Sequence, residues 1–290
     1  MPFTPEETEA CQRLANLAVE EDLDAAGDAT SQILIPTERI GMAVLTARQP
    51  GVLAGLPAAE LTFAVVDPAL IVETLRPDGS PVQAGDRLAV LSGRTRSILA
   101  GERTALNFVQ RLSGIATQTR RYVDALAGLA AKVLDTRKTT PGWRLLEKYA
   151  VRQGGGHNHR LGLYDGILIK DNHLAALAGE ADPIAEAVRR ARAKHGTNLP
   201  LEIEVDTLAQ LDAALKAQPD IVLLDNMPPS DLREAVRRRN GMAPGILLEA
   251  SGGVTLETVR AIAETGVDRI SVGALTHSAP ALDIALDYIP

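Results

Sequence analysis

LEIEVDTLAQLDAALKAQPDIVLLDN, residues 201–226, decides the fold of this chain. Two short apolar runs, LEIEV and IVLLD, flank an Ala- and Leu-rich segment whose apolar residues recur at helical spacing. A buried β-run, a helix and a second buried β-run are typical of a βαβ unit with parallel strands. The stretch therefore predicts an α/β fold.

The same alternation continues on both sides of this stretch. Apolar β-type runs end at Asp135-Thr136, Lys170, Val205, Asp225, Ser251 and Val272. Six strand ends, and a possible short strand near Gly154–Gly156, predict an open α/β barrel of about seven strands. An open doubly wound sheet is the alternative, because its binding site also lies at the carboxyl ends of the strands.

The first third of the chain has a different pattern. Thr4 and Glu7 have the spacing of a capping box at the start of a helix over residues 4–23. Short β-rich pieces over residues 40–96 predict an antiparallel sheet with a helix near 57–66. Residues 97–127 have long helical periodicity, and Ser113-Gly114 is interpreted as the break between two helices and the domain boundary.

Composition limits the function classes. The 290 residues are 46% hydrophobic, which suits a globular protein of one large or two ordinary domains. No window is apolar enough for a membrane span and the first residues do not resemble a secretory signal, so we expect a cytoplasmic protein without a membrane partner. Aromatic residues are only 3%, which argues against a nucleic-acid partner. The single cysteine, Cys11, is interpreted as a packing residue.

Positive charge is concentrated in one segment of an acidic chain. Residues 137–170 hold seven Arg or Lys and two acids, whereas the rest holds 23 basic and 35 acidic residues. Four of these cations, Arg137, Lys138, Arg160 and Lys170, lie at or beside strand ends, and together they favour a compact anionic ligand. The remaining three, at positions 144, 148 and 152, are interpreted as a solvated helix face.

Acidic and histidine side chains follow the same strands. Glu204 and Asp225 end neighbouring strands, so their oxygens could together hold Mg²⁺. His157 and His159 would point to one side of an extended segment, which permits either a metal pair or hydrogen bonds to an acidic ligand.

Two glycine-containing strand ends predict a phosphate site. Ser251-Gly252-Gly253 and Gly273-Ala274 each stand between a β-run and a helical segment, where backbone N–H groups can face a phosphate.

Several motifs resemble the quinolinate phosphoribosyltransferase family, also called nicotinate-nucleotide pyrophosphorylase. They occur in the family's order over nearly the whole chain: ERTALNFVQRLSGIAT at 102–117, DTRKTTPGWRLLEKYAVRQGGGHNHRLGLYDGILIKDNH at 135–173, IEVDTLAQL, VLLDNM, EASGGV and ISVGALTHS. The resemblance implies an N-terminal α/β sandwich domain, residues 1–113 completed by 276–290, and an open seven-stranded α/β barrel, residues 114–275.

The resemblance also implies a reaction and a set of roles. The family joins quinolinate to phosphoribosyl pyrophosphate with Mg²⁺, giving nicotinate mononucleotide, pyrophosphate and CO₂ for NAD biosynthesis. It implies a homodimer with active sites shared between subunits, and it permits a higher oligomer. By position, the resemblance implies that Arg137, His159 and Arg160 bind the quinolinate carboxylates, together with Arg103 from the partner subunit. It implies that Lys138 and Lys170 contact ligand charges between the two substrates, and that Glu204 and Asp225 contact the ribose and the metal. The residues implied to bind the 5′-phosphate are Ser251, Gly252, Gly253, Gly273 and Ala274.

Other functions remain open from the residues alone. A metal-dependent barrel hydrolase could use His157, His159, Lys170 and Asp225 around zinc. A class I aldolase could use Lys170 as a Schiff base. A sugar-phosphate binding protein would bind without turnover, and a molybdenum-transport-associated paralogue shares the family's architecture.

Overall fold

The structure is a computed structural model that describes residues 2–289. The elements up to the end of the long central helix are α1 Pro5–Leu23, α2 Ala29–Leu34, β1 Ile40–Ala47, β2 Gly51–Val52, α3 Leu56–Val66, β3 Ile71–Thr74, β4 Pro81–Val82, β5 Arg87–Arg94 and α4 Thr95–Ala125. The following elements are β6 Lys132–Leu134, α5 Arg144–Gln153, β7 Ile167–Ile169, α6 Asp171–Ala175, α7 Pro183–His195, β8 Leu201–Val205, α8 Leu208–Ala217, β9 Ile221–Asp225, α9 Pro229–Met242, β10 Leu247–Ser251, α10 Val259–Ala263, β11 Arg269–Ser271, α11 Ala274–His277 and β12 Ile284–Ile289.

The chain divides into two compact units. Among the described residues, the first unit comprises 2–120, 139–155 and 275–289, and the second comprises 121–138 and 156–274. The domain limits inferred from the sequence stay a prediction.

An antiparallel sheet forms the centre of the first unit. Its strand order is β12-β1-β5-β3, and β2 pairs with β4 in a separate two-stranded sheet. The last strand of the chain, β12, pairs with β1 over six residues, so the chain terminus completes the sheet. The expected antiparallel sheet and the helix near 57–66 are confirmed. Helix α1 begins at the predicted capping box, in which Thr4 and Glu7 cap each other's backbone.

The predicted break at Ser113-Gly114 is wrong. Helix α4 runs without interruption over 31 residues. Ser113 Oγ bonds the backbone of Ala54 on both its N–H and its C=O, at 2.9 and 3.0 Å. A Cβ on Gly114 would lie 2.9 Å from the carbonyl carbon of Pro280, closer than a real Cβ can come. The two small residues therefore permit close packing of the backbone along a continuous helix.

Two other features of the first unit concern the sequence interpretations. Cys11 is fully buried, and burial raises the pKa of its thiol to about 12, as expected for a packing residue. The interpretation of α5 as a solvated basic face is wrong, because Lys148 is 0% exposed and Arg152 pairs with Glu7 at 2.5 Å.

Six parallel strands form the sheet of the second unit. Their order is β6-β11-β10-β9-β8-β7, in the open α/β barrel expected from the alternating pattern. The seventh strand expected near the glycines is a single parallel bridge between Leu134 and His157, on the outer side of β6. Helices between the strands begin at residues with local caps: the Thr207 and Gln210 capping box starts α8, and Asp182 caps α7.

Strand alternation directs the acidic side chains to the barrel interior. On β8, Leu201, Ile203 and Val205 are buried on one face, while Glu202 and Glu204 lie on the other. Among the described residues, no helix has the length and apolar character needed to cross a membrane.

Candidate active site

The carboxyl ends of the barrel strands line a cavity of about 540 Å³ in the second unit. Its lining consists of Thr136, Arg137, Lys138, His159, Arg160, Leu168, Lys170, Glu204, Leu223, Asp225, Asn226, Ser251, Gly252, Gly253 and Ser271. Parallel strands deliver these residues to one place because their carboxyl ends share one edge of the sheet.

Ten of the thirteen predicted site residues therefore meet in one cavity. The three others lie outside this lining. Gly273 and Ala274 follow β11, two and three residues after Ser271, which is itself part of the lining. Arg103 lies exposed on α4 in the first unit, where it lines a smaller cavity of about 240 Å³ with Phe108 and Trp143, whose rings stack.

Two arginines bring like charges together in this cavity. Burial and the positive charge of Arg137 lower the pKa of the Arg160 guanidinium. The Arg160 side chain donates from Nη1 to the Gly166 carbonyl at 3.2 Å, which holds the group in place. Two adjacent guanidinium groups form a site for an anion, because an anion relieves their mutual repulsion and can accept both hydrogen-bond forks.

Two buried glutamates anchor His159. Its Nε2 lies 3.1 Å from Glu202 Oε2 and 3.3 Å from Glu249 Oε1. Burial alone would lower the pKa of His159, but the hydrogen bonds and charges of Glu202 and Glu249 outweigh it and raise the pKa to about 9. Burial and the Glu249 charge also raise the pKa of Glu202.

Burial would raise the pKa of Glu249, but the hydrogen bond and charge of His159 outweigh burial and lower it. The backbone N–H of Arg160 donates to His159 Nδ1 at 2.8 Å, which requires a lone pair on that nitrogen. This contact favours an unprotonated Nδ1, whereas the raised pKa of His159 favours a protonated ring.

Lys170 and Glu204 form an ion pair at the ends of β7 and β8. Glu204 stands beside Leu223 in the register of β8 and β9, so it lies one strand away from Asp225. The two carboxylates present oxygen atoms to the same cavity, which is the ligand type that Mg²⁺ prefers.

The loop after β10 faces the cavity through two glycines. Gly252 and Gly253 both have positive φ, at 91° and 60°, which glycine adopts without strain. A Cβ on Gly253 would meet no atom of residues 2–289 within 4 Å, so this backbone is open to a ligand. Such a turn can direct N–H groups to a phosphate.

The two histidines of the HxH motif do not share a site. His157 lines a different cavity of about 640 Å³ near the amino ends of β6, β10 and β11, with Lys132 and Arg269. His159 lines the cavity at the carboxyl ends. The four residues considered for zinc in the hydrolase alternative therefore do not meet, because His157 lies apart from His159, Lys170 and Asp225.

Comparison with known proteins gives the family. The sequence model described as quinolinate phosphoribosyl transferase, C-terminal domain, matches residues 115–287, and the N-terminal domain of the same name matches residues 28–113. The chain belongs to the quinolinate phosphoribosyltransferase family. Nicotinate-nucleotide pyrophosphorylase [carboxylating] of Mycobacterium leprae is 46% identical over 286 residues, covering 97% of this chain and 98% of that protein.

Other members of the family are similar over almost the same length. A Bacillus subtilis protein named probable nicotinate-nucleotide pyrophosphorylase [carboxylating] is 44% identical over 277 residues, 95% of this chain and 92% of the relative. The solved structure of the nicotinate-nucleotide pyrophosphorylase from Francisella tularensis superposes with a TM-score of 0.90 at 40% identity, covering 99% of this chain and 98% of that one. The family match, the fold and the sequence motifs thus all indicate the same family.

Glu249 and Asn226 are among the residues in and beside the cavity that were not predicted as site residues from the sequence. Glu249 precedes Ser251 by two positions on β10, so strand alternation alone places both on the inner face. Asn226 follows Asp225 directly and was read only as part of the family motif VLLDNM. The position of the Asn226 side chain in the cavity wall depends on a left-handed backbone conformation that the sequence does not reveal.

Proposed function

We propose that this protein transfers the phosphoribosyl group of phosphoribosyl pyrophosphate to quinolinate, giving nicotinate mononucleotide, pyrophosphate and CO₂ in NAD biosynthesis. The observation that carries the proposal is the meeting of Arg137, Lys138, Arg160 and Lys170 in one cavity with the glycine loop after β10. The names of the family's members, nicotinate-nucleotide pyrophosphorylase and quinolinate phosphoribosyltransferase, support it.

The cationic lining addresses the main physical difficulty of this reaction. A pyridine dicarboxylate and a polyphosphorylated sugar repel each other, so their approach in water is unfavourable. In this proposal Arg137 and Arg160 hold the quinolinate carboxylates, and Lys138 and Lys170 lie between the charges of the two substrates. His159, expected from the family to bind a carboxylate, has both ring nitrogens engaged by Glu202, Glu249 and the Arg160 N–H, so its role is to position Arg160. Fixed positive charge in a partly buried site offsets the repulsion and orients the pyridine nitrogen toward the anomeric carbon.

The bond changes need no nucleophile from the protein. The anomeric C–O bond breaks, its electron pair leaves with pyrophosphate, and the sugar becomes oxocarbenium-like. The pyridine nitrogen then forms the N–C bond and becomes cationic. The bond to the adjacent carboxylate breaks, CO₂ leaves, and the electron pair stays on the ring carbon beside the cationic nitrogen until that carbon takes a proton. Lysine ammonium groups stabilise the leaving pyrophosphate.

Glu204 and Asp225 fit a divalent cation, since both line the cavity from adjacent paired strands and offer oxygen ligands. They would hold Mg²⁺ and contact the ribose. Bound Mg²⁺ supplies positive charge for the pyrophosphate group. The 5′-phosphate is held by backbone and side-chain groups of Ser251, Gly252, Gly253, Gly273 and Ala274.

The active form is proposed to be a cytoplasmic homodimer with shared sites, with further assembly possible and with no nucleic-acid or membrane partner. Arg103 would enter the partner's site from α4, where it is exposed. Helix α2 exposes Ile33 and Leu34 at 81% and 69%, which supports a protein interface on the first unit.

A product assay tests the proposed function. Purified protein is incubated with Mg²⁺, phosphoribosyl pyrophosphate and quinolinate labelled in the carboxylate next to nitrogen. We expect labelled CO₂ and nicotinate mononucleotide in equal amounts, and neither product when nicotinate replaces quinolinate. Absence of both products from folded protein would refute the function and favour a binding role.

A further inference from the structure

Asn226 occupies an unusual backbone position in the wall of the active-site cavity. It follows Asp225 at the end of β9 and has a φ of 53°, in the left-handed region. Only two other described non-glycine residues, Asp24 and Gln218, share a positive φ. Asparagine tolerates this conformation better than most residues, so the backbone position by itself requires only a turn residue.

The backbone of Asn226 joins the ends of two strands. Its N–H donates to the Ser251 carbonyl at 2.9 Å. Ser251 is the parallel partner of Asp225 in the register of β9 and β10, so this bond extends the ladder one residue beyond the strand. The turn after β9 is therefore held against the residue that precedes the glycine loop.

The side chain of Asn226 fixes two groups proposed to bind the sugar phosphate. Its Nδ2 donates to Asp225 Oδ2 at 2.6 Å, which restricts rotation of that carboxylate. The amide also covers Gly252: a Cβ there would lie 2.6 Å from Asn226 Cγ and 3.0 Å from its backbone nitrogen. The Asn226 side chain is thus packed against Gly252, and position 252 does not accept a larger side chain without movement.

We propose that Asn226 is a positioning residue for the ribose-phosphate half of the site, an inference that rests on the proposed function. It orients the Asp225 carboxylate through its amide and holds the Gly252–Gly253 backbone open for the phosphate. A turn residue without this role would be replaceable by glycine at no functional cost, since glycine adopts the left-handed conformation freely. A positioning role for Asn226 and a role as a simple turn residue therefore predict different kinetics for Asn226→Gly.

Asn226→Gly separates the side chain from the backbone conformation. We expect its KM for phosphoribosyl pyrophosphate to rise about 10- to 100-fold, the effect of losing a hydrogen bond to a charged group. The KM for quinolinate and the Tm should stay near wild type, because the arginine cluster and the backbone turn are unchanged. Asn226→Asp should raise the same KM at least as much, because it removes the donor and adds a negative charge beside Asp225.

The matched control is Gln218→Gly, which replaces another left-handed residue, at φ 59°, outside the active-site lining. It should leave both KM values unchanged. A binding readout without turnover accompanies the kinetics: the rise in Tm caused by ribose 5-phosphate without metal should be smaller in Asn226→Gly than in wild type and in the control.

The outcomes separate this inference from the proposed function. Wild-type protein that releases no CO₂ from quinolinate refutes the function. Active wild type with an Asn226→Gly variant of unchanged KM, or with both KM values and the Tm altered together, refutes the role of Asn226 alone. A selective rise in the KM for phosphoribosyl pyrophosphate with a reduced ribose 5-phosphate shift supports it.

Discussion

Arg137 lies close enough to Arg160 that its charge, in addition to burial, lowers the pKa of the Arg160 guanidinium. Two neighbouring guanidinium groups repel each other; the charges of Glu202 and Asp165 offset part of this repulsion at Arg160, and a bound anion would offset more. Lys138 and Lys170 line the same cavity and add to the positive potential. The excess of basic residues over 137–170 is thus largely a property of the active site.

The His159 cluster should make stability depend on pH. The pKa of His159 is raised to about 9 from an ordinary 6.5, so its stabilising effect is complete below pH 6.5 and is lost as pH rises through 9. The loss should be at most about 3 kcal/mol. Urea unfolding from pH 6.5 to about pH 10 measures it, and Glu249→Gln should flatten this part of the profile. Equal slopes in wild type and variant would contradict the assignment.

Gly114→Ala should destabilise the first unit by about 1–3 kcal/mol, because the added methyl group meets the Pro280 carbonyl and the packed helix cannot move freely. Gly241→Ala is the control, since its Cβ meets no described atom within 4 Å in exposed α9. It should be neutral or stabilising. Thermal unfolding of both variants tests the contact, and equal Tm values would show that Gly114 is not a packing residue.

Arg103 should act across a dimer interface. Arg103→Ala and Lys138→Ala should each be nearly inactive, because each removes a cation from every site. Random mixing of the two after joint refolding gives heterodimers with one intact site, so about a quarter of wild-type activity should return. Activity that stays at the level of the separate variants would place Arg103 in its own subunit's site or outside any site.

Lys170→Met should lower kcat by at least about 100-fold, because the ammonium group is proposed to stabilise the departing pyrophosphate. Lys194→Met, at the exposed end of α7, is the matched control and should be silent. Borohydride with substrates should leave Lys170 unmodified in wild type. Covalent trapping of this lysine would instead indicate Schiff-base chemistry.

The strand ends and the side chains at them could be predicted because the apolar pattern that marks each strand lies within a few consecutive residues. Apolar runs of β8 and β9 and the caps between them fix the βαβ units, and parallel strands must bring their carboxyl ends together. That geometry and the family motifs predicted the meeting of ten residues that line one cavity in the structure. The seventh strand was harder to predict, because a one-residue bridge at His157 leaves almost no β-type pattern in the sequence.

Long-range packing accounts for the errors. Ser113-Gly114 has the composition of a helix break, and only the backbone of Ala54 and Pro280 explains why small residues stand there. Lys148 belongs to a row of basic residues at helical spacing that was predicted to face solvent, yet it is fully buried. The anchoring of His159 by Glu202 and Glu249 likewise depends on residues that are distant along the chain.

Quinolinate saturation in Arg160→Ala tests the central electrostatic claim most directly. Initial rates of CO₂ release are measured against quinolinate concentration at saturating phosphoribosyl pyrophosphate, with the exposed-helix variant Arg189→Ala as control. Loss of a charged hydrogen-bonded contact worth about 2–5 kcal/mol should lower kcat/KM for quinolinate by a factor of about 30 to several thousand and abolish saturation in the Arg160 variant. Wild-type kcat and KM for quinolinate in Arg160→Ala would contradict the account.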